Sequence, residues 1–247
     1  HIDYVARVSE SVLARLHFVV RMPSGGAIPE VDEAQLAADV AHATRTWDDD
    51  FADALVHEFG EEGATDLTSQ YASALPESYK EDFSPRQAVA DIAQLSRLTA
   101  KGDSVVKLHD ALGTPDDEHR FTLCRLGEPV VLFELLPIFE SLGAHVLEER
   151  PYQLVRADGE TAWVYDVAVR LPARDPDVSA SDEADRFCDA FLAAWRGQTE
   201  IDGLNGLVST TDLTWREVAW VRAWLQYARQ LGTPFSIQYS VRMILAN

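Results

Sequence analysis

The chain has 247 residues, of which 47% are hydrophobic and 25% charged, a composition that suits a globular protein with a sizeable core. Its formal net charge of −20 repels phosphate backbones and anionic headgroups, so we expect no nucleic acid and no membrane among its partners. Neither Cys124 nor Cys188 belongs to a zinc motif or a disulfide framework, which predicts two buried thiols in a reduced, cytoplasmic protein.

The first sixty residues predict a hairpin and a helix. Residues 2–22 contain two apolar, β-branched runs around a polar turn at 9–11, which is typical of a β-hairpin. In residues 32–59 apolar side chains recur every three or four positions, which predicts one long helix that Gly60 ends. The strand pattern that starts directly at His1 predicts a chain cut from a longer protein.

Two more helices are predicted before residue 100. One covers about 65–75 and ends at Pro76. The other covers 85–99, with Ser84 as its cap and Pro85 in the first position, where a missing amide costs nothing.

Beyond residue 103 strands and helices alternate. The predicted elements are strands at 104–108 and 119–126, a helix at 130–142, a hairpin over 144–156 and 161–171, and a helix at 181–196. From 119 onward this order is most of a split β-α-β unit, the ferredoxin-like plan. The plan needs one further strand, and 104–108 can supply it out of order.

The element order predicts an α+β protein built from two related modules. The first region shows strand, strand and helix, which is the same plan without its opening strand and helix. We therefore predict a truncated module at 1–103, a second module at 104–200 and a helical segment at 201–247.

The helical segment is rich in tryptophan. Thr214 and Glu217 spell a capping box, and the predicted buried stripe behind it consists of Val218, Val221, Trp224, Leu225 and Ala228. The tryptophans at 195, 215, 220 and 224 form either a core seam between helices or a docking surface for another part of a larger chain.

The sequence contains no catalytic motif that we can identify. Glycine-rich phosphate loops, the G-x-S-x-G elbow and H-E-x-x-H are absent, so we assign no catalytic residue and no metal ligand. Asp53 and His57 share one helix face, but a solvated surface explains them better than a metal site. The junction of Gly127, Glu128 and Pro129 lies between a strand and a helix, where amides can approach a small ligand; a plain tight turn is the simpler alternative.

Several longer segments resemble one enzyme family, the large bacterial NAD-specific glutamate dehydrogenases. Residues 1–80 match it more loosely, and 13–21 is the best part of that stretch. The clearest segments are DFSPRQA at 82–88 with Asp91 and Ile92, LPIFESLG at 136–143, VLEERPY at 146–152, 191–197, DGLNGLV at 202–208, LTWREV at 213–218, 229–232, and Phe235 with Ser236.

The resemblance implies a place in the enzyme and a role. The matching region of that family lies upstream of the catalytic domain and consists of ACT-like modules followed by a helical motif, so it holds neither the catalytic lysine nor the NAD site. ACT modules bind amino-acid effectors, which would make Gly127, Glu128 and Pro129 an effector loop. The implied partners are the catalytic domain and other subunits.

Three functional hypotheses follow. The first is a non-catalytic regulatory or oligomerisation segment of an NAD-dependent glutamate dehydrogenase, whose parent deaminates L-glutamate oxidatively to 2-oxoglutarate and ammonia. The second is a purely structural scaffold between domains that binds no effector. The third is a self-contained enzyme with a metal site on the acidic helix.

Overall fold

A computed structural model describes residues 2–7, 15–20, 32–110, 115, 117–172 and 182–245. Two compact units make up the chain, residues 1–46 and residues 47–247. The predicted hairpin turn at 9–11 lies outside the described residues.

The first unit contains a hairpin and a helix. Strands β1 (Ile2–Arg7) and β2 (Arg15–Val20) pair antiparallel, from Ile2 opposite Val20 to Arg7 opposite Arg15. Helix α1 (Glu33–Ala43) begins after Asp32, whose carboxylate accepts hydrogen bonds from two backbone amides of the first turn. This is the strand, strand and helix order that the sequence predicts for the first module.

The prediction of a single long helix over 32–59 is wrong. Helix α1 ends at Ala43, and α2 (Trp47–Tyr71) begins after an interruption of three residues. Three residues are close to one helical turn, so the apolar spacing continues across the break and conceals it. Gly60 does interrupt α2, with φ 73° and ψ 173°, as its position predicts.

Two short helices follow α2. Helix α3 (Glu77–Asp82) was not predicted, because its six residues are too few to show a period. Helix α4 (Pro85–Leu95) has the predicted cap: the Ser84 hydroxyl accepts from the Gln87 amide, and the Gln87 side chain accepts from the Ser84 amide.

A four-stranded antiparallel sheet forms the centre of the second unit. Its strands are β3 (Ser104–Asp110), β4 (Glu118–Leu126), β5 (His145–Val155) and β6 (Thr161–Arg170), in the order β3-β4-β6-β5. Strand β3 pairs with β4 at the sheet edge, where the last strand of a ferredoxin-like unit would pair with the first. The module is thus a ferredoxin-like unit in circularly permuted order, and the prediction of an out-of-order strand is confirmed.

Helices cover both faces of this sheet. Alternate residues of β4 divide between them: Phe121 and Leu123 face α5 (Leu132–Ser141) and α6 (Glu183–Trp195), while Cys124 and Leu126 face α2 and α4. The sheet therefore separates two apolar cores, and α2–α4 belong to the same compact unit as the sheet.

The last helices dock on the core of α5 and α6. A 3₁₀ turn (Gly203–Asn205) leads into α7 (Gly206–Thr210), α8 (Trp215–Gln230) and α9 (Ile237–Leu245). Val218 of α8 is fully buried in this core, and the predicted capping box of Thr214 and Glu217 is present. Within the described residues, no helix is long and apolar enough to span a lipid bilayer.

Candidate functional site

The Gly127 loop (Gly127, Glu128 and Pro129) connects β4 to α5. Gly127 has φ +92°, a left-handed conformation that favours glycine, and a Cβ at this position would lie 3.4 Å from the Lys101 side chain. Its amide donates to Thr161 O at 2.8 Å, so this N–H serves the sheet and is not available to a ligand. The loop therefore leaves the strand in one fixed geometry.

Two aromatic residues of β6 bind the Gly127 loop to the sheet by hydrogen bonds. Trp163 Nε1 donates to Gly127 O at 3.1 Å, and the Val130 amide donates to the Tyr165 hydroxyl at 2.7 Å. Their rings stack at 6.0 Å because residues two apart on a strand point to the same face. These bonds give the loop a rigid base, which is what a binding loop needs.

Arg125 fixes the loop from the side. Its Nε donates to Glu128 O at 3.1 Å, its Nη1 donates to Ser104 Oγ at 3.2 Å, and its guanidinium lies 5.8 Å from the centre of the Trp195 ring. Arg125 therefore makes contacts with three other residues of the protein.

Helix α5 begins beside the loop without a side-chain cap. Val131 occupies the cap position and makes no side-chain hydrogen bond to the helix. The first amides of a helix lack intrahelical partners and form its positive end, which favours a carboxylate. The side chains there are apolar and exposed, Val131 at 60% and Phe133 at 78%. The junction thus combines amides suited to an anion with an exposed apolar rim.

On the opposite sheet face, ion pairs connect α3 to the sheet. Asp82 accepts from the Tyr152 hydroxyl at 2.6 Å and from Arg150 Nη1 at 3.0 Å. Arg150 also pairs with Glu148, whose other oxygen lies 3.6 Å from Arg120 Nη1. Arg120 makes two hydrogen bonds to the carboxylate of Asp166, which is 2% exposed. These ion pairs hold the helices on the sheet, and each of the charged groups already has a partner within the protein.

Tyr79 and Asp91 form a second polar contact in the same core. The Tyr79 hydroxyl donates to Asp91 Oδ2 at 2.5 Å. Burial raises the pKa of Asp91 to about 6, while the Tyr79 hydrogen bond and the Lys107 charge oppose that rise. Burial likewise raises the pKa of Tyr79 well above its usual value. A perturbed carboxyl can mark a functional site, but this pair lies in a packed core in which Tyr79 is fully buried.

The two thiols and the acidic face of α2 are the remaining polar groups that the sequence singles out. Cys124 is buried, Cys188 is half-buried, and burial raises the pKa of Cys188 to about 12. Asp53 and His57 are both exposed on α2. Among the described residues, no group of three or more His, Cys, Asp or Glu side chains is placed to hold a metal ion.

The predicted buried stripe of α8 is partly wrong. Val218 is buried, and Val221 and Leu225 pack against the core, but Trp224 is 70% exposed. Trp224 joins Trp220, at 71% exposed, on the outer face, where the two line an apolar hollow of about 500 Å³ with Ala223 and Tyr227. Position 224 lies near the boundary between the two faces, and in an aromatic-rich helix hydrophobicity alone does not assign it.

The sequence was enough to locate the Gly127 loop, but it did not identify the side chains that support the loop. Trp163 and Tyr165 were recognised only as strand residues, although their spacing by two in a strand beside the loop was a usable signal. The hydrogen bonds of Tyr79 and Arg125 have no signal in the sequence. Their partners lie 12 and 21 positions away along the chain and meet them only after folding.

The family comparisons match the chain along most of its length. Residues 1–48 match the ACT2 domain of glutamate dehydrogenase, 54–98 its helical motif 2, 103–183 its ACT3 domain and 199–247 its helical motif 3. The boundary of the ACT3 match at 103 places the permuted strand β3 inside that domain.

Three similar proteins carry one description, NAD-specific glutamate dehydrogenase. The protein of Pseudomonas aeruginosa is 34% identical over 231 residues, covering 94% of this chain and 14% of the relative. That of Mycobacterium tuberculosis is 35% identical over 253 residues, covering 96% and 15%. That of Halomonas elongata is 33% identical over 237 residues, covering 96% and 14%. The chain thus spans about one seventh of the length of these relatives.

A permuted ferredoxin-like sheet flanked by helical segments defines an ACT-type region, and the domains that the chain matches are ACT domains and helical motifs. The chain belongs to the family of the large NAD-specific glutamate dehydrogenases, in a region upstream of the catalytic domain. The parts that it matches are non-catalytic ones, which agrees with the resemblance read from the sequence.

Proposed function

We propose that this chain is a regulatory segment of an NAD-dependent glutamate dehydrogenase and that the Gly127 loop binds an amino-acid effector. The parent enzyme would oxidise L-glutamate to 2-oxoglutarate and ammonia with NAD, in the cytoplasm. The segment itself would hold no cofactor and would act on the catalytic domain and on other subunits. The segment would consist of three modules, residues 1–103, 104–200 and 201–247.

The uncapped start of α5 is the observation that carries the proposal. An amino acid offers a carboxylate, which suits the Leu132 and Phe133 amides of the first helical turn, and a side chain, which suits the exposed rim of Val131 and Phe133. The Glu128 carboxylate, exposed in the loop, suits the ammonium group. The rigid support from Trp163 and Tyr165 keeps these groups in place before a ligand arrives.

The second candidate is a scaffold that binds no effector and organises the enzyme by packing alone. The exposed aromatic face of α8 favours it, because a surface of this kind serves protein contact. The two candidates differ in one measurable property, which is ligand binding by the segment.

A thermal-shift screen against the twenty amino acids, NAD and divalent metals separates them. A ligand at 100 times its dissociation constant adds about 2.7 kcal/mol, which moves the melting temperature by several degrees. A shift with one or a few amino acids that disappears in Glu128→Gln supports the effector loop. Stabilisation by NAD and glutamate together with NAD reduction would contradict a non-catalytic segment, and a flat panel would favour the scaffold.

A further inference from the structure

The outer face of α8 carries an apolar stripe that no described residue covers. Trp220, Trp224, Tyr227 and Leu231 are each more than half exposed and follow one another at spacings of four, three and four residues. That is the a/d spacing by which one helix packs along another. The hollow lined by Trp220, Trp224 and Tyr227 lies on this stripe.

The stripe is held in a fixed position by the opposite face of the same helix. Arg222 is 6% exposed and pairs with Asp202 through Nε at 2.7 Å and Nη2 at 2.8 Å. Val218 is fully buried beside it. Because α8 is anchored in this way, its aromatic side chains cannot turn into the core and remain a preformed surface.

The charge of the segment that carries the stripe is opposite in sign to that of the rest of the chain. The segment from Trp215 to Leu245 contains four arginines and one acidic residue, Glu217, whereas the whole chain has a net charge of −20. Of these arginines, Arg216 is exposed one turn before Trp220 on the face of the stripe, and Arg229 and Arg242 are exposed elsewhere on the segment. A partner that covers the stripe is therefore favoured if it carries carboxylates beside its apolar residues.

The area of the stripe favours a tethered occupant. Its four exposed side chains offer roughly 600 Å² of apolar surface, less than the ~800 Å² per partner of a standard interface between separate proteins. A segment of the same polypeptide needs less area, because its effective concentration is high. The relatives are about seven times longer than this chain, so most of such a polypeptide lies outside it.

We propose that the α8 stripe is the docking site of an acidic amphipathic helix from another part of the same polypeptide. The inference rests on the proposed function to the extent that this chain is a segment of the larger enzyme. It does not depend on effector binding by the Gly127 loop.

Cysteine labelling at Ala223 tests the proposal. Ala223 is exposed and lines the hollow, so Ala223→Cys places a thiol beside the stripe without disturbing the core. The variant is made in the 247-residue chain and in the full-length enzyme, and both are treated with iodoacetamide. Trypsin cuts after Arg222 and Arg229, so one peptide reports this position by mass spectrometry even where other cysteines react.

We expect labelling at least tenfold slower in the native full-length enzyme than in the 247-residue chain, and equal rates once both are unfolded in urea. In the full-length enzyme the rate should rise several-fold between 0.1 M and 1 M NaCl, because salt screens the contact with carboxylates. Equal rates in the two native proteins would overturn the docking site and leave effector binding untouched. Protection in the short chain that grows with its concentration would overturn it in favour of self-association, and protection insensitive to salt would overturn the acidic character of the occupant.

Discussion

Tyr79 and Asp91 connect two helices through one short hydrogen bond, 2.5 Å from the phenol oxygen to Oδ2. The bond joins α3 to α4 inside the core that also contains Cys124 and Tyr152. Asp91 is the member of the pair that titrates near neutral pH, because burial raises its pKa from 3.8 to about 6. The helices that cover this sheet face therefore carry a pH-dependent contribution to stability.

Replacing Asp91 by Asn should stabilise the protein above pH 6. The folded state holds the Asp91 proton more tightly than the unfolded state, so the wild-type stability falls as pH rises from about 4 to 6. Asn accepts the Tyr79 hydrogen bond without a buried charge, and we expect a gain of about 2 kcal/mol at pH 7.5 and almost none at pH 4. Urea denaturation at the two pH values measures this.

The matched control for Asp91 is Glu140→Gln, which neutralises an exposed carboxylate of α5. It should leave stability unchanged within about 0.5 kcal/mol at both pH values. If Asp91→Asn instead destabilised the protein equally at pH 4 and pH 7.5, the charged form would be the better partner of Tyr79, against our interpretation.

Tyr165→Phe should loosen the Gly127 loop. The variant removes the hydroxyl that accepts from the buried Val130 amide and leaves that amide without its partner, at a cost of about 1–3 kcal/mol. Urea denaturation measures the loss, and hydrogen exchange of the Val130 amide should quicken. Tyr227→Phe, a matched change on the exposed face of α8, should leave both measurements as in the wild type.

Sequence alone predicted the elements better than their contacts. The hairpin of β5 and β6, the cap at Ser84 and the out-of-order strand β3 are confirmed, because alternation, capping and turn signals are local in the chain. The long first helix and the burial of Trp224 were wrong, because a break of one turn preserves the period and hydrophobicity does not distinguish a core from a docking surface.

In the Gly127 loop, too, the sequence predicts the local backbone better than the contacts between distant residues. A glycine between a strand and a helix was enough to locate Gly127, since only the backbone conformation had to be inferred. That Trp163 and Tyr165 support the loop depends on the pairing of β4 with β6, which places Arg125 opposite Trp163 and Leu123 opposite Tyr165. Register between two strands that are far apart in the chain has no signature in one sequence.

Gly127→Ala should lower stability and abolish any amino-acid response. A φ of +92° strains every L side chain, and the new Cβ would press on Lys101, so we expect a loss of about 1–2 kcal/mol. Gly159→Ala is the control, because Gly159 has φ +81° in the β5–β6 turn and nothing within 4 Å of its Cβ. Thermal shifts should show similar destabilisation in both variants but loss of the ligand response only at Gly127. Equal responses in both would exclude the loop as the effector site.

Arg222→Met should detach α8 from the core. Arg222 donates to Asp202, to Asn205 Oδ1 at 2.9 Å and to Thr199 Oγ1 at 3.2 Å, and Asp202 depends on it for its charge partner. Removing one member of a buried ion pair leaves the other uncompensated, so we expect a loss of about 3 kcal/mol by urea denaturation. Arg229→Met removes an exposed arginine from the same helix and should cost less than 0.5 kcal/mol.

A double-mutant cycle tests whether the effect of Arg222 comes from this contact. Asp202→Asn keeps the hydrogen bond that Asp202 Oδ1 accepts from the Leu204 amide but removes the charge. The double variant with Arg222→Met should lose less stability than the two single variants together, by about 1–2 kcal/mol, because each single change already breaks the same pair. Strict additivity would mean that Arg222 anchors α8 through its other partners, Asn205, Thr199 and Glu200, and the position of the aromatic stripe would then not depend on the charge of Asp202.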